Sequence, residues 1–596
     1  MLRDDLAAVR HPSDGGGTAW LEPDPEGLDR VTAGESGRWT LVYEAGELGI
    51  AAGGWLFLQV PPHWGWSDPQ PWSPDAPGYT EVTTDAAGVE LEPAVLDTGL
   101  LGIRVDGRAL ATGERVRIVY GAGAAGARAD RFAERRSRFW IAVDGDGDGV
   151  RGLLPEPPEV TIAAGPTAGL ALHLPSVARP GERVRLSVAA LDSRGNTTTA
   201  SLGEIELSGA ADGLDHPQRV TLDGGRGVIE ITAREAGVWR LEARTAAGLE
   251  GASNRLVVGP EPARVLWADL HGHSNLSDGT GTPEDYFIYA RDVAALDIVA
   301  LTDHDHWGLR ALSQHPELWA EIRRQTEHFH QPGRFVTLLG YEWTSWLHGH
   351  RHVLYFEDNG EVLSAIDPAY ETPPQLWQAL RGQPALTFAH HSAGGPIATN
   401  WRYPPDPELE PVTEVVSVHG SSEAADTPGL IYGPMPGNFV RDVLDRGFRL
   451  GLVGSGDGHD GHPGLAHLAS PSGGLAGILA EEATRQAVLE ALKARRVYAT
   501  NGPRIHLAVE LAGQPMGSVL PIDELGDRAT LVVRAVAPAP LASIDLVHSG
   551  GRIETVDCSG RVDCRLSREI REPEPGGYLY LRARQVDGGT AWSSPF

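Results

Sequence analysis

Cysteine is nearly absent from this chain. Two residues in 596, Cys558 and Cys564 in DCSGRVDC, exclude a disulfide framework and a cysteine-rich zinc site by count. The pair either closes one small loop in an oxidising compartment or stays as two reduced thiols, and both readings stand. Long apolar runs are also missing. None approaches the roughly 18 residues that would span a bilayer, so no membrane span is expected. The N-terminal stretch MLRDDLAAVRHPSDGGG lacks the apolar core of a secretory leader. That points to a cytoplasmic protein, or to a secreted or periplasmic one if a leader has been removed. Basic charge is scarce: 50 Lys and Arg against 80 Asp and Glu give a net charge of −30. Such a surface repels nucleic acid and anionic membrane, so no nucleic-acid partner is expected. It still permits a local positive pocket, because bound divalent cations dominate the field at their own site. Also absent are a phosphate-cradling Gly loop, a nucleophile elbow and a dinucleotide fingerprint.

What is present changes character along the chain. Residues 1–165 carry short alternating segments bounded by Gly and Pro, such as RWTLVYEAG with Trp39, Leu41 and Tyr43 on one face. A period of two between turn residues predicts an N-terminal β-sandwich domain. The loop HWGWSDPQPW brings Trp64, Trp66 and Trp72, either as a cleft wall or as a loop packed under a sandwich. Residues 166–262 repeat the alternation at Val184, Leu186 and Val188, turn at Arg194-Gly195-Asn196, and predict an immunoglobulin-like β-sandwich. From 263 to 503 strand-like and helix-like runs alternate, which predicts an α/β barrel. The run TPEDYFIYARDVAAL reads as a helix with Thr282 as N-cap, Pro283 at its first position and Asp285 completing a capping box. Residues 504–596 return to β patterning and predict a C-terminal β-sandwich.

The chemistry gathers in the third region. Sixteen of the 22 histidines lie between residues 264 and 500. His271 and His273 are two apart at a strand end and so point to one face; Asp457 and His459 repeat the spacing. Asp278 follows in a Gly-rich turn able to fold back over the site. His304 closes DIVALTDH, Glu342 closes VTLLGYE, His390 closes LTFAH, and His352 opens HVLYF, so its loop must bring it to the others. Strand-end imidazoles and carboxylates on several strands predict a multinuclear site. Their mixture suits Zn, Mn or Fe better than Ca or Mg. His315, His328 and His330 read as structural or surface residues. His306 and Arg402 read as solvated loop residues or as substrate contacts.

In that order, HGHSNLSDG, LTDHD, YEW…HVLYF, FAHHS and GDGH resemble the motifs of the polymerase-and-histidinol-phosphatase (PHP) superfamily. More narrowly, GSGDGHDGHPG, the HWGWS loop and the C-terminal AWSSPF resemble the DUF3604 group. The PHP resemblance implies a distorted (β/α)7 barrel, which the β-sandwich and immunoglobulin-like domains read from the alternation would flank. It also implies two or three divalent Zn, Mn or Fe ions. Carried over, His271, His273, Glu342 and Asp457 hold one ion. Glu342 bridges to a second with His352 and His390, and Asp278, His304 and His459 hold a third. The chain departs from the pattern at His390-His391, where His-Pro is usual, so either imidazole can be the ligand. His419 falls where no standard ligand is expected.

The implied reaction is phosphomonoester or phosphodiester hydrolysis of a small or phosphorylated substrate by a metal-bridging hydroxide. Glu342 and Asp457 carry the site, and His419 or His306 protonates the leaving oxygen. Two other readings use the same residues: amide or ester hydrolysis, and a binding protein with an inert barrel. A separate acidic run, VDGDGDGVRG, places Asp144, Asp146 and Asp148 as in the first half of a calcium loop. Pro155 stands where the closing Glu belongs, so an acidic turn is the alternative to Ca.

Overall fold

The computed structural model describes residues 7–23, 30–61, 65–210, 212–260, 264–571 and 574–596. The chain divides into two compact units, residues 1–165 and 166–596. No helix among the described residues is long and apolar enough to cross a membrane.

In the first unit a four-stranded and a five-stranded sheet share one core. Trp39, Leu41 and Tyr43 from one sheet meet Leu56, Leu101 and Ile141 from the other. This is the sandwich that the alternation predicts, since only one face of each strand must leave water. Trp66 packs into that core against Trp39 and Phe139, whereas Trp72 is exposed. Trp64 lies outside the described residues.

The second unit starts with short sheets from residues 169–258 around a core of their own, including Leu186, Val188 and Ile231. Beyond them stands the scaffold that matters for the site. Its strands are β1 (Val265–Asp269), β2 (Ile298–Leu301), β3 (Val336–Trp343), β4 (Arg351–Tyr355), β5 (Ala385–Ala389), β6 (Val412–Ser417), β7 (Gly451–Gly454), β8 (Leu475–Leu479) and β9 (Val497–Thr500). The C-terminal segment adds β10 (Leu541–His548), β11 (Ile553–Asp557), β12 (Leu579–Gln585) and β13 (Thr590–Ser593). Eleven of these form one sheet in the order β5-β4-β3-β2-β1-β8-β9-β13-β12-β10-β11. β6 and β7 pair parallel in a separate three-stranded sheet.

This arrangement corrects the expected (β/α)7 barrel. In the central sheet only β1, β2 and β3 run parallel in succession; β3–β4, β4–β5, β1–β8 and β8–β9 are antiparallel. A parallel barrel needs a crossover of a dozen or more residues between successive strands. Residues 344–350 between β3 and β4 are too few for one, so the chain turns back as a hairpin. The strand–helix alternation misled because it records neither strand direction nor the strands that residues 541–593 would add to the same sheet. Strand dominates throughout, and helices are short.

The helix at 282–293 forms as its ends dictate. α1 (Pro283–Asp292) has Thr282 and Asp285 in a reciprocal capping box with Pro283 at its start. It buries Tyr286, Phe287 and Ala290 against the sheet. Cys558 and Cys564 are joined as a disulfide.

Candidate metal centre

Parallel pairing puts the C-terminal ends of β1, β2 and β3 at one edge. β4 starts at that edge because it pairs antiparallel with β3, with Glu342 opposite His352. The hairpin thus brings His352 in directly. β5 returns, so its end delivers His390. β1 and β7 end in loops that run side by side: His273 N donates to Gly458 O, Asp457 N to His271 O, and Thr280 N to His459 O, all at 2.8–2.9 Å. Asp269, fully buried, ties these loops by accepting from Gly456 N at 2.8 Å and Gly464 N at 2.7 Å. No side chain fits at Gly456, where a Cβ would lie 2.7 Å from Asp269 Oδ2. This lattice makes the His-x-His and Asp-x-His pairs converge. Asp457 itself sits at φ 51°, in the left-handed region that a non-glycine residue occupies at a cost.

Four groups here each bring at least three donor atoms within 4.8 Å of one another. They are His271-His273-Asp457, His271-Glu342-His352-His390, His273-Asp278-His304-His459 and His350-His390-His391. Glu342 lies at their junction, buried. Its Oε2 is 3.4 Å from His271 Nε2 and 3.4 Å from His273 Nε2. Its Oε1 is 2.6 Å from His350 Nδ1, 3.1 Å from His390 Nε2 and 3.4 Å from His304 Nδ1. Asp457 Oδ1 lies 3.0 Å from His271 Nε2 and 3.4 Å from His273 Nε2. Asp278 Oδ1 is 3.4 Å from His459 Nε2 and 3.6 Å from His304 Nε2. All nine residues expected as ligands therefore come together.

The electrostatics follow from burying carboxylates among imidazoles. Burial penalises charge on Glu342 and Asp457, but the surrounding imidazoles outweigh it and hold both well below the usual carboxylate range. Burial likewise opposes charge on His271 and His273. Asp457 with Glu414 and Glu342 prevails at His271, holding it well above the ordinary imidazole value. Hydrogen bonds to Asp457 and Glu342 raise His273 to about 10. At His352, His390 and His391 burial prevails, and His390 is pushed down to about 3. Buried acids in such number need compensating positive charge, from protons on imidazole or from cations. Both ring nitrogens of His352 are buried without a hydrogen-bond partner. Orphaned imidazole nitrogens beside ionised carboxylates are the donor set of a divalent transition metal, so the residues fit such ions.

Two further expected residues are placed differently. His419 Nε2 is 2.8 Å from Asp457 Oδ2, and at 23% its side chain is the most exposed of these imidazoles. His306 is buried with Nδ1 2.8 Å from Asp305 Oδ1 and belongs to none of the four groups. His315 and His330 flank the helix α2 (Pro316–Phe329), which carries His328; none of the three enters a group. Arg402 is exposed. In the first unit Asp144 and Asp146 are joined by Asp14. Asp148 Oδ1 accepts from Val150 N at 2.8 Å, while Asp144 caps Gly147 N and Gly149 N.

Two members of the site, His350 and Glu414, escaped sequence reading, and His391 joins His390 where one of the two was expected. The signals were present. HGHRH places three imidazoles at a spacing of two, and Glu414 is an acid inside the apolar run VTEVVSV. Glu414 Oε2 lies 3.0 Å from His271 Nδ1. A carboxylate there fixes the Nδ1–H tautomer and frees Nε2 for a cation. Burial, partly offset by His271, raises Glu414 to about 7. Glu414→Gln is expected to weaken metal affinity about 10–100-fold without removing a ligand, as read by chelator competition. An unchanged affinity would deny Glu414 this orienting role.

The family model described as "Protein of unknown function (DUF3604)" matches residues 302–428 and 459–515. This bears out the DUF3604 part of the resemblance. An uncharacterized protein of Chlamydia pneumoniae is 27% identical over 531 residues, covering 82% of this chain and 84% of its own. One from Chlamydia trachomatis serovar D is 25% identical over 505 residues, covering 78% and 79%. Among solved structures, the D0-D1 domain of Intimin is matched over 40% of this chain and 97% of its own, at 10% identity and a TM-score of 0.14.

Proposed function

We propose that this chain is a metal-dependent phosphoesterase of the PHP kind, acting on a phosphomonoester or phosphodiester. The observation that carries the proposal is Glu342, whose two oxygens face different imidazole sets, His271 and His273 on one side and His350 and His390 on the other. The order of the motifs and the convergence of their residues support it. Divalent transition-metal ions held by His271, His273 and Asp457, by Glu342, His352 and His390, and by Asp278, His304 and His459 would supply Lewis acidity for hydrolysis at neutral pH.

The chain's own residues do the rest. Glu342 and Asp457 remain ionised and orient the imidazoles around them. The buried walls keep bulk water away, which strengthens each electrostatic contact inside. His419 holds a proton at Nε2 against Asp457 Oδ2, and its partial exposure supports a role in protonating a departing oxygen. Burial disfavours that proton, but Asp457 keeps the imidazole above its ordinary value. Around the site the half-exposed Trp307 and Trp346 pack together at 5.2 Å. Trp346 lies 5.5 Å from His350, and Tyr432 lies 5.5 Å from His419. This aromatic rim offers an apolar seat for an ester group.

Aryl phosphates are therefore the probes of choice. Metal is stripped, Mn or Zn is restored, and aryl phosphate mono- and diesters are assayed beside an aryl ester and an anilide. Turnover should depend on metal and favour phosphorus over carbonyl carbon. Failure of folded, metal-loaded protein to cleave any phosphoester would reject the reaction class. His419→Gln is expected to cost about 10²–10⁴-fold in kcat, with metal content unchanged. The loss should shrink for leaving groups that depart without a proton, such as nitrophenolate; equal losses for all leaving groups would remove His419 from proton transfer.

A further inference from the structure

His391 is the buried imidazole that the reading above leaves without a task. Its two ring nitrogens, His350 Nε2 and His390 Nδ1 all lack a hydrogen-bond partner. The three residues are buried, and each brings one nitrogen within 4.8 Å of the others. Ring centroids are 3.8 Å apart for His390 and His391, 5.0 Å for His350 and His391, and 5.6 Å for His350 and His390.

Consecutive residues of an extended strand point to opposite faces. His390 and His391 do not, because His391 takes φ 35°, a left-handed conformation unfavourable for any residue but glycine. That turn at the end of β5 brings neighbouring rings together. On the other side, His350 Nδ1 and His390 Nε2 share one oxygen, Glu342 Oε1. His352 differs. Its ring lies against His271 at 3.8 Å and Phe388 at 4.7 Å, and no ion pair joins it to a carboxylate among the described residues.

We infer that His350, His390 and His391 form a cation position that selects Zn²⁺ over Mn²⁺, so that the centre holds unlike metals. Three imidazoles with a fourth position left open are a donor set of tetrahedral zinc, whereas manganese favours oxygen-rich sets. The position shared by His271 and His273 is richer in carboxylate, with Glu342 Oε2 and Asp457 Oδ1 facing two imidazoles. A neutral imidazole donates one lone pair, so a zinc here takes His390 from the second position of the proposed hydrolase and leaves that position to Glu342 and His352. The inference rests on the hydrolase reading only in requiring that a metal centre exists.

The test is metal counting on the full chain. Wild type, His350→Ala, His391→Ala and His391→Asn are loaded with equal Zn and Mn, desalted and measured by mass spectrometry, with His271→Ala as the control for the neighbouring position. The 350 and 391 variants should each lose about one zinc per chain and keep their manganese. Anomalous scattering from wild-type crystals should place zinc about 2.0–2.1 Å from nitrogens of all three rings. Variants that keep wild-type zinc, or a zinc peak away from His391, overturn the inference and leave the hydrolase reading standing. A wild type that binds no transition metal overturns both. If the variants do not fold, the wild-type zinc position alone decides.

Discussion

Glu342→Gln should lose at least about 10³-fold in metal-dependent kcat/KM, some 4 kcal/mol of transition-state stabilisation. The substitution keeps the side chain's shape and removes its charge. In the wild-type chain each oxygen serves a different set of imidazoles, at 2.6–3.4 Å. A glutamine presents one oxygen and one N–H₂, which donates and cannot bind a cation. One of the two sets therefore faces the wrong group whichever way the amide turns. The remaining imidazoles also lose the carboxylate that balances them inside a dry site. Bound metal should fall together with turnover, while circular dichroism stays that of the wild type. Steady-state kinetics with metal analysis on the same preparation checks this, and turnover within tenfold of wild type would mean that Glu342 does not join the two positions.

Glu423→Ala should cost about 3–5 kcal/mol of folding stability, with an effect on the scaffold rather than on the chemistry. Glu423 is fully buried beyond β6. Its Oε1 accepts from Tyr580 Oη at 2.6 Å. Its Oε2 accepts from Trp592 Nε1 at 2.7 Å, Thr427 Oγ1 at 2.7 Å and Arg582 Nη1 at 3.1 Å. Truncation strands these donors in the interior and leaves Arg582 with Asp545 as its close partner, at 3.1 Å. An unpartnered buried donor costs about 1–3 kcal/mol, and a half-paired charge more. Replacing the ion pair by Glu423→Leu with Arg582→Met should restore part of the loss, because it removes the half-paired Arg582 charge while Asp545 keeps Arg584 at 3.2 Å. The midpoint of urea unfolding at constant slope measures both. A shift worth under 1 kcal/mol would show that water reaches this network. Trp592 belongs to the C-terminal AWSSPF motif, so that motif locks the last strands against the loop after His419.

The convergence of side chains was more legible than the architecture. His271 and His273, like Asp457 and His459, show their common face through a spacing of two, which depends only on strand geometry. The capping box at Thr282 and Asp285 is equally local and appears as read. The path of the chain between these points was not legible. Gly456 N reaches Asp269 Oδ1 across 187 residues, and Arg582 reaches Glu423 across 159. No periodicity records which strand pairs with which, or in which direction. β4 therefore read as one more strand of a barrel when it is the return arm of a hairpin. The same gap hid His350 and Glu414. Each becomes a site residue only because a neighbouring strand lays a carboxylate or an imidazole against it.

By itself the sequence determined that strand ends rich in imidazole and carboxylate share one region, and that residues two apart there, such as His271 and His273, share a face. Spacing within a strand and capping within a helix are short-range properties, decided by backbone geometry over a few residues. Tertiary structure alone decided the sheet order, the hairpin that sets Glu342 against His352, and the turn that brings His390 and His391 to one side. Those choices depend on the summed free energy of pairings between distant segments, and no window of neighbouring residues contains that sum.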